Sequence, residues 1–266
     1  MEVVLEEQAI LSKAKSLASA LGASQPFRDC EFALQEFQND SSAGHLIAEF
    51  RRIQQEASTH QQLWGAPDTN LYAQVRALQE RIEAHPVLRK LQQSESALLE
   101  LLLGCVLRLG NLCEVDFVEA CTGRSLAGCG TPQPGTDATA SLALLSEVSS
   151  ALEELAQGIH QSDAFRRFVQ AKDTFQSDPN VNRLREEMRN AQRDYLQAQN
   201  EGRVTLEMIE HVRAIQNQLR EHPAIHRFSE ARRDFYQLFQ TVNRTVSEVL
   251  GMDVAQTLAP AQGCCG

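Results

Sequence analysis

The chain has 266 residues, 42% of them hydrophobic and 23% charged, which is the balance of a folded protein and too apolar for a disordered one. Its 35 Asp and Glu outnumber its 25 Lys and Arg, leaving a formal charge of −10, so nucleic acid is disfavoured as a direct ligand. With only 14 Gly and 8 Pro, a turn-rich all-β chain is excluded.

From the N-terminus, Met1-Glu2-Val3-Val4-Leu5-Glu6-Glu7 is acidic where a secretory leader is basic, and no apolar run follows it. Ala97 to Leu107 is the most apolar stretch, and Glu100 and Arg108 keep it short of the roughly 20 residues that cross a bilayer. A cytoplasmic protein without membrane insertion is expected.

The apolar positions recur at spacings of three and four throughout, with no sustained period of two. Ile10, Ala14, Leu17 and Leu21 mark a first helix; Phe27, Cys30, Leu34 and Phe37 mark a second. A third carries Leu46, Phe50, Ile53 and Ala57, and a fourth Leu71, Val75, Leu78 and Ile82. The fifth and longest carries Leu88, Leu91, Leu98, Leu102, Cys105 and Leu109.

The pattern then starts again. A shift of 138 lays Phe27-Arg28 on Phe165-Arg166, Asp40 on Asp178, Leu46 on Leu184, Arg51 on Arg189 and Gln54 on Gln192. After a one-residue gap, a shift of 137 lays Val75-Arg76-Ala77-Leu78-Gln79 on Val212-Arg213-Ala214-Ile215-Gln216, and His85-Pro86 on His222-Pro223. The chain is therefore a tandem duplication. The expected domains are 1–121 and 141–257, joined by a Gly/Pro-dense linker at 122–140 and followed by a tail at 258–266. Each copy is expected to be a five-helix antiparallel bundle. Tethering makes their encounter intramolecular, so the pair should form a pseudo-dimer within one chain.

Punctuation agrees between the copies. Asp40 and Asp178 sit where a carboxylate caps a helix start, Pro179 follows at the first helical position, and Gly65 and Gly202 sit where a helix ends. His85 and His222 read as caps ahead of proline. Trp64 and the aromatics of the second copy follow the core period and are expected to pack.

Known catalytic patterns are missing: there is no phosphate-cradling glycine loop, nucleophile elbow or His-Glu-x-x-His. No histidine has a glutamate three residues before it, which removes the usual di-iron bundle signature. The expectation is a protein that is not an enzyme. Of seven cysteines, Cys30 and Cys105 fall on apolar faces, and Cys113 could be core or surface. Cys121, Cys129, Cys264 and Cys265 lie among Gly, Thr, Ala and Gln, with no evident core to join. Four such thiols could gather an iron–sulfur cluster or a tetrahedral zinc, or serve as a reactive tail. The spacing does not choose between them.

A unit with Phe27-Arg28, Ala33, Phe37, Asp40, Leu46 and Phe50, a last helix opened by His85-Pro86, and a glycine-and-cysteine tail resembles the YlbF/YmcA/YheA family of bacterial cell-fate regulators. Both copies carry the likeness. The resemblance implies an all-α, non-enzymatic regulatory adaptor working through protein–protein contacts in RNA processing or development. It implies as partners a PSP1-domain protein and RNase Y-type machinery. It also implies a [4Fe–4S] cluster held partly by tail cysteines, which here are Cys121, Cys129, Cys264 and Cys265. Members are usually single-copy with differently spaced tail cysteines; this chain joins two units. The alternatives from the residues are a cysteine-dependent redox or zinc protein, or an inert structural bundle.

Overall fold

In the computed structural model, helix starts and stops fall where the capping residues put them. The structure describes residues 2–125 and 145–259; Cys129, Cys264, Cys265 and most of the expected linker lie outside the described residues. The first half contains α1 (Glu2–Gly22), α2 (Gln25–Asn39), α3 (Ser41–Trp64), α4 (Thr69–Ala84), α5 (Pro86–Cys113) and α6 (Phe117–Thr122). The second contains α7 (Ser146–Gln161), α8 (Asp163–Ser177), α9 (Pro179–Asn200), α10 (Leu206–Glu221), α11 (Pro223–Leu250) and α12 (Val254–Leu258). There is no strand among the described residues, and the chain is all-α.

Five helices per half were expected, and each half has a sixth. The extra helices α6 and α12 are short and begin at equivalent carboxylates. Asp116 accepts from the Glu119 amide at 3.0 Å, and Asp253 from the Gln256 amide at 3.0 Å. Both helices follow a left-handed residue that ends the long helix, Glu114 (φ 54°) in one half and Gly251 (φ 70°) in the other. That conformation crowds a Cβ, which glycine lacks.

The longer helices are capped as expected. One oxygen of Asp40 accepts from the amides of Ser42 (2.9 Å) and Ala43 (3.0 Å). Asp178 does the same for Asn180 (2.9 Å) and Val181 (3.1 Å). His222 accepts from the Ala224 amide through Nδ1 at 3.3 Å, whereas His85 turns its Nε2 to Ser42 Oγ at 3.0 Å instead of capping.

Helix pairing crosses between the halves. Within each half the second helix lies along the long one, α2 on α5 and α8 on α11. The first helices are exchanged: α1 packs on α11 and α7 packs on α5, while α1 and α7 also pack on each other. The short helices follow suit, α6 against α11 and α12 against α5, with α6 against α12. One apolar core results, holding Leu17, Leu102 and Val118 from the first half with Leu152, Leu155, Phe235 and Phe239 from the second. Burying a side chain of that size stabilises by about 1.5–3 kcal/mol relative to leaving it exposed, so the shared core ties the folding of the halves together.

Polar contacts cross the same seam. His160 Nε2 lies 2.8 Å from the Leu112 carbonyl oxygen, and Lys172 is 2.6 Å from Glu114, whose carboxyl its ammonium holds below the usual carboxylate range. Gln240 donates to the Ala120 carbonyl at 3.2 Å, and Arg108 pairs with Glu153. Aromatics of the second copy pack as expected. Phe168 and Phe235 are stacked with centroids 4.8 Å apart, and Phe175 and Phe228 at 5.0 Å.

Two helical hairpins stand off this core as arms, α3–α4 and α9–α10. In the first, Ala43, Leu46, Ile53 and Leu78 form a small core together with Leu88 of α5. Helix α5 is long and apolar enough to cross a bilayer by length and composition, which the short stretch Ala97–Leu107 does not reveal. Half of its most apolar window is buried inside the structure.

Candidate functional site

Two regions bear on function: the end of the core where the cysteine segments begin, and the two arms. Helix α6 carries Cys121, and α12 leads toward Cys264 and Cys265. Because α6 packs against α12, the segments bearing Cys129 and Cys264-Cys265 start from one end of the core.

Cys121 itself does have a core to join, contrary to the sequence expectation. It packs against the shared core, and its Sγ donates to the Phe239 carbonyl oxygen at 3.6 Å. Burial pushes its thiol up to about 12, and the nearby carboxylates of Asp253 and Asp116 push in the same direction. A metal ligand has to be a thiolate, which this setting opposes. In this placement Cys121 is a protonated thiol held against Phe239, and the other three candidates lie outside the described residues. No group of three or more His, Cys, Asp or Glu among the described residues could hold a metal ion. Cys105 and Cys113 are buried core thiols, also pushed up to about 12 by desolvation, and Cys30 is half-buried.

The arms expose what the core period suggested was buried. Trp64 is 73% exposed, as is Leu63 beside it, at the end of α3 where the chain turns into α4. In this last turn Gln61 accepts from the Tyr72 hydroxyl of α4 at 2.7 Å, and Trp64 lies beside His60 with ring centroids 6.3 Å apart. The second arm exposes Leu196 and Leu206 near its own turn. Along one side of that arm, Gln192, Tyr195 and Leu196 of α9 and Ile209, Val212, Arg213 and Gln216 of α10 line an open groove. Spacings of three and four put Tyr195 and Val212 on the apolar faces of α9 and α10; they do not show the groove between them.

Fold and surface together define a duplicated helical protein that buries its two halves in one core and holds out two arms. The chain belongs to the family described as control of competence regulator ComK, YlbF/YmcA, whose model matches residues 10–105 and 148–250. Both matches fall on the repeated units, each spanning most of the first helix through the long one. The family is a regulatory one. No curated protein and no solved structure matches the chain significantly.

Proposed function

We propose that this chain is a non-enzymatic regulatory adaptor that recruits other proteins through its arms. The observation that carries this reading is the pair of off-core hairpins whose ends leave Leu63, Trp64, Leu196 and Leu206 in solvent. Large apolar side chains grouped at the end of a projecting element mark a contact surface. The crossed pairing of first helices supports an approximate two-fold pseudo-dimer, with units at 1–121 and 141–257, that holds both arms on one rigid body. Family membership supports partners of the kind expected above, a PSP1-domain protein and RNase Y-type machinery, in the cytoplasm.

The test replaces Leu63 and Trp64 by serine. The wild-type chain, immobilised in native cytosol, should retain a set of proteins that the variant loses, while both melt at the same temperature. Retention unchanged by the substitutions would remove the arms from the reading.

The [4Fe–4S] proposal draws support from the packing of α6 on α12, which starts both cysteine segments from one end. It requires Cys121 to leave Phe239 for Cys129, Cys264 and Cys265. Anaerobically purified protein with broad visible absorption and stoichiometric iron would support it; colourless, iron-free protein would remove it.

A further inference from the structure

The two arms came from one ancestor, so exposed residues still shared by both are a record of what the surface does, free of core packing. On the second arm, Arg189 and Gln192 of α9 and Arg213 and Gln216 of α10 are all exposed. Their counterparts Arg51, Gln54, Arg76 and Gln79 are identical and also exposed. Packing does not require any of the eight.

The four residues of the second arm share a face. Positions 185, 189, 192 and 196 form one stripe on α9, and 209, 213, 216 and 220 form one stripe on α10, each by steps of four, three and four. Gln192 and Leu196 meet Ile209, Arg213 and Gln216 across the groove. The charged members of these stripes are Arg185, Arg189, Arg213 and Arg220, four cations and no carboxylate, in a chain whose net charge is −10. Of the acidic residues of α9, Glu187 and Asp194 lie about half a turn away and Glu186 about a quarter turn; Glu187 pairs with Arg183 at 2.7 Å.

Two of the four are engaged: Arg185 sits 5.5 Å over the Phe175 ring, and Arg220 donates to Asn217 at 2.6 Å. Arg189 and Arg213 have no ion-pair or hydrogen-bond partner among the described residues. The first arm is a weaker version. Arg76 lies 3.9 Å from Glu80, Glu83 stands where the second arm has Arg220, and Ser58 stands where it has Leu196.

Resting on the adaptor reading, we propose that the α9–α10 groove docks an acidic amphipathic helix of a partner protein. The helix would lay an apolar stripe on Leu196, Ile209 and Val212, with its carboxylates on Arg189 and Arg213. An apolar floor with a cationic rim is the complement of such a helix. The aliphatic floor offers Tyr195 as its single aromatic, which is poor ground for stacked bases.

The experiment uses the full chain in its native cells, with a photo-reactive phenylalanine analogue replacing Gln216 and the adduct sequenced. The expected adduct is a segment with helical apolar spacing and flanking Asp or Glu. Its yield should fall at least about tenfold in an R189E/R213E variant, where like charges meet. Arg183→Glu, on the opposite face, should leave it unchanged, and carboxylate-to-lysine changes in the captured segment should restore R189E/R213E. An RNA adduct, an adduct with a second copy of this chain, yields indifferent to the arginines, or no adduct would each overturn the proposal. If the tip variants still lose partners while the groove yields no adduct, the docking site fails and the adaptor reading stands. If neither surface retains anything, the adaptor reading fails.

Discussion

Phe239 is the sharpest probe of the shared core. Its ring is fully buried on α11, and it meets Phe117 of α6 edge-on, with centroids 5.6 Å apart at 81°. One ring belongs to each half. Phe239→Ala should cost about 3–5 kcal/mol, the loss for a buried aromatic including the cavity it leaves. Two such losses together would approach the whole stability of a domain, about 5–15 kcal/mol. A double-mutant cycle is therefore better run with leucine at both positions. Rings in this geometry should give a coupling energy of about 0.5–1.5 kcal/mol. Urea titrations followed by far-ultraviolet circular dichroism supply the free energies, and each variant should unfold in a single transition. Coupling below about 0.3 kcal/mol, or separate transitions for the halves, would refute the crossed core.

Two glycines in helix interiors should respond in opposite directions. A Cβ at Gly110 would lie 2.6 Å from the Val115 carbonyl oxygen, which is backbone, so Gly110→Ala should destabilise by about 1–3 kcal/mol. At Gly158 the nearest atom is Cδ of the flexible Lys13 at 3.0 Å. Gly158→Ala should therefore gain about 0.5–1 kcal/mol of helix propensity; melting temperatures read both. Cys105, Cys113 and Cys121, with thiols pushed up to about 12, should resist iodoacetamide at pH 8 in the native protein and react in urea. Their folded values exceed the unfolded one, so the unfolded chain sheds protons first and stability should fall as pH rises past about 9; labelling at equal rates in both states would contradict their burial. Asp40 runs the other way. Hydrogen bonds from Ser42 and Ala43 hold its carboxyl below the usual range, so its cap persists at neutral pH and is lost as pH falls below about 4. Asp40→Asn should remove that part of the acid profile.

Much of the fold could be read in the chain because helices announce themselves locally. Spacings of three and four located the five longer helices of each half, and Asp40, Asp178 and Gly65 marked their ends. The sixth helices were missed although a signal was present: Asp116 and Asp253 fall on one another at the same shift of 137 as the His-Pro pairs. Which helix packs on which is a different matter. Ile10, Ala14, Leu17 and Leu21 specify a buried face for α1, yet nothing in their spacing says that the face meets α11 of the other half. Trp64 has the right period for burial, yet its place at the turn between α3 and α4 leaves it 73% exposed. Cys121 was read from its polar neighbours in sequence, whereas its spatial neighbour is the backbone of Phe239. The arginine–glutamine positions shared by the arms were visible as register marks; that they line a groove became apparent only when α9 and α10 were placed side by side.

The interlocking of the halves is tested most directly by cutting the chain between them. A protease site placed within residues 126–144 would leave each half covalently free while α1 still lies on α11 and α7 on α5. The cut protein should elute as a single species near 29.6 kDa in dilute native buffer and separate only on denaturation. Two species of about half that mass, each with native helicity, would contradict the account.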